Sequence, residues 1–139
     1  MPELPFKILG IEHIGIAAND LNGISDVFGD LLGLKLRSRE KIDDQQVITD
    51  IYETGSGKLE FLKATDKNSP IFRFIDKKGK GIHHIALKVD NLQEALDYLK
   101  GQGTQIIDTL PRIGAEGFKI AFLHPRSTGG VLIELCEKK

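Results

Sequence analysis

An α+β fold built from two β-α-β-β-β modules is what this sequence predicts, on three observations. The run His13-Ile14-Gly15-Ile16-Ala17-Ala18-Asn19-Asp20-Leu21 recurs as His84-Ile85-Ala86-Leu87-Lys88-Val89-Asp90-Asn91-Leu92. Each copy then passes through the same order of helix-like and strand-like periodicity. Each copy ends on a Glu inside an aliphatic run, Lys58-Leu59-Glu60-Phe61-Leu62 and Leu132-Ile133-Glu134-Leu135. A repeat of this length is a duplicated half-domain rather than a solenoid.

The elements of the first module, about 8–63, follow in order. Residues 9–18 alternate and are rich in β-branched side chains, which predicts a strand. Asn19-Asp20 offers a helix cap. Leu21, Ile24, Phe28, Leu31 and Leu32 fall near helical spacing, and Gly33 is a natural stop. Strands are predicted over 34–40, 46–53 and 58–63. A linker of about 64–80 contains Asn68-Ser69-Pro70, a cap followed by proline in the first turn. The apolar Ile71, Phe72, Phe74 and Ile75 make it a short helix that ends by Gly79. The second module, about 81–136, predicts a strand over 82–89, a helix over 92–100 closed by Gly101 or Gly103, and strands over 104–108, 117–123 and 131–136. One four-stranded sheet with one helix leaves a sheet face uncovered. Two such modules can form one cupped mixed β-sheet with a shared site between them, in a single domain of residues 1–139.

Composition narrows the function. The chain has 139 residues, 40% apolar and 28% charged, which excludes a disordered chain. Lys+Arg number 19 and Asp+Glu 20, so the net charge of −1 supplies no field for nucleic acid. Tryptophan is absent, which argues against single-strand stacking. No apolar run reaches membrane-spanning length. No signal or transit pattern is read at the N-terminus, and the one cysteine, Cys136, suits a reducing compartment, so the expected location is cytoplasmic.

The candidate site residues are polar groups placed in strands. Glu134 has Leu132 and Cys136 on its own face and Val131, Ile133 and Leu135 on the other, and a carboxylate there is costly unless paired or metal-bound. Glu60 sits likewise between Leu59 and Phe61. His13 and His84 open the first strand of each copy, and each is followed two residues later by a small residue, Gly15 or Ala86. Alone, each Glu can be an edge carboxylate and each His a bonded core residue. Together, a pseudo-twofold would gather two imidazoles and two carboxylates, a donor set suited to Co²⁺, Ni²⁺, Mn²⁺ or Zn²⁺. Two carboxylates neutralise the charge of such an ion, and an octahedral ion would keep two open positions. His83 faces away from His84 and receives no role, and His124, before Pro125, reads as a turn residue.

The same residues carry a family resemblance. Glu12-His13-Ile14-Gly15-Ile16-Ala17, Leu31-Leu32-Gly33-Leu34, Ser69-Pro70-Ile71, Gly79-Lys80-Gly81-Ile82-His83-His84-Ile85-Ala86 and the run from Lys119 through His124-Pro125-Arg126-Ser127-Thr128-Gly129-Gly130 to Leu135 resemble the vicinal-oxygen-chelate superfamily. That superfamily includes glyoxalase I, extradiol dioxygenases and methylmalonyl-CoA epimerases, and the likeness to the epimerases covers nearly the whole chain. The resemblance implies that His13, Glu60, His84 and Glu134 are metal ligands and that Glu134 is also the base. Some members carry a second catalytic Glu where Thr49 stands here, with Asp50 next to it on the opposite face. Thr49 is therefore carried as a substrate-binding position. Arg112 and Arg126 are the candidates for the CoA moiety. The implied function is a metal-dependent epimerase acting on methylmalonyl-CoA by α-proton abstraction through a metal-stabilised enolate, in a homodimer. The alternatives are a glyoxalase I-type lyase on a thiol hemithioacetal and a non-catalytic binding module of the same fold.

Overall fold

The computed structural model describes residues 3–138. The chain forms two compact units. One is His13–His83; the other takes in the N-terminal segment up to Glu12 and the chain from His84 onward.

In the His13–His83 unit, β1 (Ile8–Ala17) leads into α1 (Leu21–Ile24), then β2 (Lys35–Ile42), β3 (Val47–Glu53), β4 (Lys58–Ala64) and α2 (Pro70–Lys78). The strand order is β2-β3-β4-β1. β1 pairs parallel to β4, and the other neighbours are antiparallel. The Asp20 side chain caps α1 by accepting from the Asn22 N–H at 3.0 Å. The helix predicted through residue 32 changes character. Beyond Ile24 the backbone widens into a π-helical stretch, Ser25–Leu31, in which the Leu32 N–H reaches the Val27 carbonyl. Gly33 then ends it with a positive φ of 74°. One sheet face buries Tyr52 and Phe61 against Leu21, Ile24 and Phe28. The other packs Ala17, Val47 and Leu62 against Ile71, Phe74 and Ile75 of α2. Ser69 caps α2 through the Ile71 N–H, and Pro70 occupies its first turn, as the sequence predicts.

In the second unit, β5 (Gly81–Val89, from His84 on) precedes α3 (Leu92–Gly101), β6 (Arg112–Ile113), β7 (Lys119–Leu123) and β8 (Ile133–Glu137). The order β5-β8-β7-β6 repeats that of the first unit, again with one parallel pair, β5 with β8. Asn91 caps α3 through the Glu94 N–H. The helix buries Leu92, Ala95 and Leu96 against Val89, Ala121, Leu123, Leu135 and Phe6. Burial of Leu92 and Leu96 alone contributes about 3–6 kcal/mol. The opposite face gathers Ala86, Phe118, Ile120, Phe122 and Cys136.

One expected strand is absent. Over 104–108 only Ile106 bridges to Leu123. Two backbone bonds form, from the Ile107 N–H to the Phe122 carbonyl and from the His124 N–H to the Gln105 carbonyl, and side chains take others. The Ser127 hydroxyl accepts from the Gln105 N–H at 2.9 Å, and Asp108 accepts from the Phe122 N–H at 2.8 Å. The edge strand forms instead at Arg112–Ile113.

Candidate functional site

Each unit holds one buried His/Glu pair, built the same way. In the first, β1 and β4 run parallel with Gly15 directly opposite Glu60. Gly15 has no side chain, so the carboxylate can lean toward His13, two residues back on the same face. His13 Nδ1 lies 3.1 Å from Glu60 Oε2. In the second, Ala86 stands opposite Glu134, and His84 Nε2 lies 3.3 Å from Glu134 Oε1. The small residue after each histidine therefore has a defined purpose: it is the cross-strand neighbour over which the carboxylate passes. His13 and His84 are each 5% exposed, and Glu60 and Glu134 each 4%.

A carboxylate at that burial needs a counter-charge. A histidine supplies one only when protonated. A divalent cation would serve such a pair with the imidazole neutral, since one nitrogen and one oxygen are donors that borderline divalent metals accept.

Two aromatic and acidic groups missed in the sequence complete the second pair's surroundings. Phe122 sits directly across the ladder from Glu134, and its ring meets His84 edge-on, with centroids 5.4 Å apart. Cross-strand pairing was the missing signal, because it depends on a register that sequence alone does not fix. Asp108 forms an ion pair with Arg112, Oδ1 to Nε 3.1 Å, while its other oxygen holds the Phe122 N–H. Arg112 lies in β6 opposite Ile120, with its side chain about one-third exposed. Arg126 is exposed in the Pro125–Ser127 turn, which His124 caps by accepting from the Arg126 N–H. That cap gives His124 the turn role expected of it.

In the first unit, Thr49 is buried and shares a sheet face with Glu60, one cross-strand step from Leu62 on one side and Glu40 on the other. Asp50 points to the other face and is held by Arg39 through two hydrogen bonds of 2.6 and 2.9 Å. Those bonds hold the Arg39 guanidinium above its ordinary pKa. His83 packs edge-on against Phe74 of α2. Cys136 is buried on the Glu134 face beside Phe122 and Ala86, a packing position.

Two copies of a parallel-paired β-α-β-β-β unit, each with an inward His and Glu, define a class. The profile of the glyoxalase/bleomycin resistance protein/dioxygenase superfamily matches residues 12–122, and the chain belongs to that superfamily. An uncharacterised protein of Bacillus subtilis, YqjC, is 43% identical over 93% of this chain and 92% of its own length. The mitochondrial methylmalonyl-CoA epimerase of Dictyostelium discoideum is 36% identical over 92% of this chain and 78% of its own. The crystal structure of methylmalonyl-CoA epimerase from Mycobacterium tuberculosis superposes with a TM-score of 0.91 at 33% identity, covering 95% of this chain and 89% of that one. The glyoxalase-like α+β fold is thus shared with the epimerases. No helix among the described residues is long and apolar enough to cross a membrane.

Proposed function

We propose that this chain is a metal-dependent epimerase that interconverts the enantiomers of methylmalonyl-CoA. The observation that carries the reading is the pair of equivalent buried His/Glu contacts, His13 with Glu60 at 3.1 Å and His84 with Glu134 at 3.3 Å. The names and similarity of the Dictyostelium and Mycobacterium relatives support the substrate. On this reading His13, Glu60, His84 and Glu134 together hold one divalent cation of the Co²⁺, Ni²⁺, Mn²⁺ or Zn²⁺ type. When bound, such an ion supplies Lewis-acid stabilisation to negative charge developing on a thioester oxygen.

The chain's own residues do the rest. The hydrogen between a thioester and a carboxylate is already acidic, so a positioned carboxylate suffices to remove it. Glu134 is that base, and general base catalysis of this kind contributes about 10²–10⁴-fold. Its burial beside Phe122 keeps bulk water from competing for the proton. Arg112, oriented by Asp108, and Arg126 in its capped turn bind the anionic parts of the substrate. Thr49 lines the substrate-facing side of the first unit.

The test is solvent exchange. Metal-loaded protein in D₂O should place deuterium at the α-carbon of methylmalonyl-CoA, and Glu134→Gln should slow this at least a hundredfold. Absence of exchange in the wild type, or turnover of a methylglyoxal–thiol hemithioacetal in its place, would overturn the assignment.

A further inference from the structure

The unit that runs from His84 onward holds a second charged assembly, built on a single carboxylate. Asp108 lies beside β7 with only 11% of its side chain exposed. Its two oxygens have different partners. Oδ2 accepts from the Phe122 N–H at 2.8 Å, and Oδ1 lies 3.1 Å from Arg112 Nε. Those two partners belong to different cross-strand rows. Arg112 stands opposite Ile120 and Ile120 opposite Cys136, whereas Phe122 stands opposite Glu134. Ile120 and Phe122 are two residues apart on β7, and Glu134 and Cys136 two apart on β8, so all of them share one sheet face with Arg112. Left in its own row, the Arg112 charge would lie beside Ile120 and Cys136. Asp108 draws it along the sheet edge to the row of Glu134.

The guanidinium arrives there with its fork open. Asp108 meets the inner nitrogen, Nε, which is buried. The two terminal nitrogens have no hydrogen-bond partner among the described residues, and 37% of the side chain is exposed. A planar fork of this kind grips a carboxylate through two parallel bonds. Neighbouring strands are spaced so that β6 stands about 10 Å from β8, two steps across the sheet. That gap suits the acyl end of the substrate, with the reacting carbon beside Glu134 and its free carboxylate in the fork. The phosphates of CoA are a whole pantetheine arm away from that carbon, so a cation in the Glu134 row is placed for the carboxylate rather than for them.

We propose that Arg112 reads the free carboxylate of the substrate and that Asp108 is the residue that positions it; this rests on the function proposed above. The substrate class is then an acyl thioester with an ionised carboxyl group on the reacting carbon. Asp108 also fixes the backbone at Phe122, whose ring meets His84, so one side chain sets both the grip on the carboxylate and the wall beside the base. A neutral acyl thioester leaves the fork unpaired and is selected against on that account.

The experiment uses the full chain loaded with Co²⁺ and two probes: methylmalonyl-CoA and its carboxamide analogue, in which an uncharged amide of the same shape replaces the free carboxylate. Exchange of the α-proton in D₂O, read by mass spectrometry, gives kcat and KM for each, and calorimetry gives the Kd of CoA itself. Arg112→Gln should cut the preference for carboxylate over amide by roughly 10–100-fold, the worth of a charge-assisted pair, and leave the Kd of CoA within about threefold. Asp108→Asn keeps an acceptor for the Phe122 N–H but loses the charge, so it should raise KM for methylmalonyl-CoA roughly 3–10-fold with kcat nearly kept. Asp108→Ala loses both partners and should lower kcat as well. A preference that Arg112→Gln leaves unchanged overturns the proposal. So does an equal weakening of CoA, which would put Arg112 on the phosphates. If Asp108→Asn and Asp108→Ala slow both probes alike, Asp108 is structural and its positioning role falls. A wild type that exchanges neither probe would instead remove the epimerase reading itself, and this assignment with it.

Discussion

Replacing Tyr52 by Phe should make the protein more stable, which reverses the usual cost of a core substitution. Tyr52 is 1% exposed on β3, with its ring edge-on to Phe61 at 5.6 Å, and its buried hydroxyl has no hydrogen-bond partner among the described residues. A desolvated, unbonded hydroxyl costs about 1–3 kcal/mol, and Phe keeps the ring and its packing while removing that cost. Unfolding entropy near 2.1 cal/mol/K per residue gives about 0.3 kcal/mol/K for a chain this size, so each kcal/mol moves Tm by roughly 3–4 °C. The expected rise is about 3–10 °C, measured by far-ultraviolet circular dichroism and checked by urea titration with an unchanged m-value. A fall in Tm of about 3 °C or more would refute the reasoning, because it would mean that the hydroxyl makes a stabilising bond in solution.

Two further predictions concern charge. Arg39→Ala should destabilise by about 1–3 kcal/mol, because it leaves the buried Asp50 carboxylate without its partner, the half-exposed Arg39 end of the pair being screened by solvent. The double variant Arg39→Ala/Asp50→Asn should regain part of that loss in urea unfolding; equal or greater loss would show that Asp50 does not depend on Arg39. Saturation with Co²⁺, Ni²⁺, Mn²⁺ or Zn²⁺ at about a hundred times its Kd should stabilise by about 2.7 kcal/mol, near 9 °C in Tm, and a chelator should abolish the gain. If none of the four ions shifts the melting curve, the proposed metal centre does not exist.

Much of this architecture is legible in the residues. The α2 start at Ser69-Pro70, the α3 cap at Asn91 and the strands carrying His13 and His84 follow from local chemistry and periodicity. The repeat gives each module one His and one Glu and a small residue, Gly15 or Ala86, two places after the His; that these stand opposite Glu60 and Glu134 is set by the strand register. What escaped reading is non-local. The segment 104–108 has strand composition, but the Ser127 hydroxyl takes the Gln105 N–H and the Asp108 side chain takes the Phe122 N–H of β7. The π-helical turn at Ser25–Leu31 has the same apolar spacing as an α-helix over so short a span.

The parallel pairings have a consequence for how the protein is made. Gly15 meets Glu60, and Ala86 meets Glu134, only after an entire helix and two strands have been laid down between them. Closing such long loops costs chain entropy before any contact rewards it, and contacts of high sequence separation slow folding. The His/Glu pairs therefore belong to the late-forming part of each unit, while the β2–β3 and β7–β8 hairpins can zip early. A nascent chain would therefore hold its hairpins before either His/Glu contact had closed.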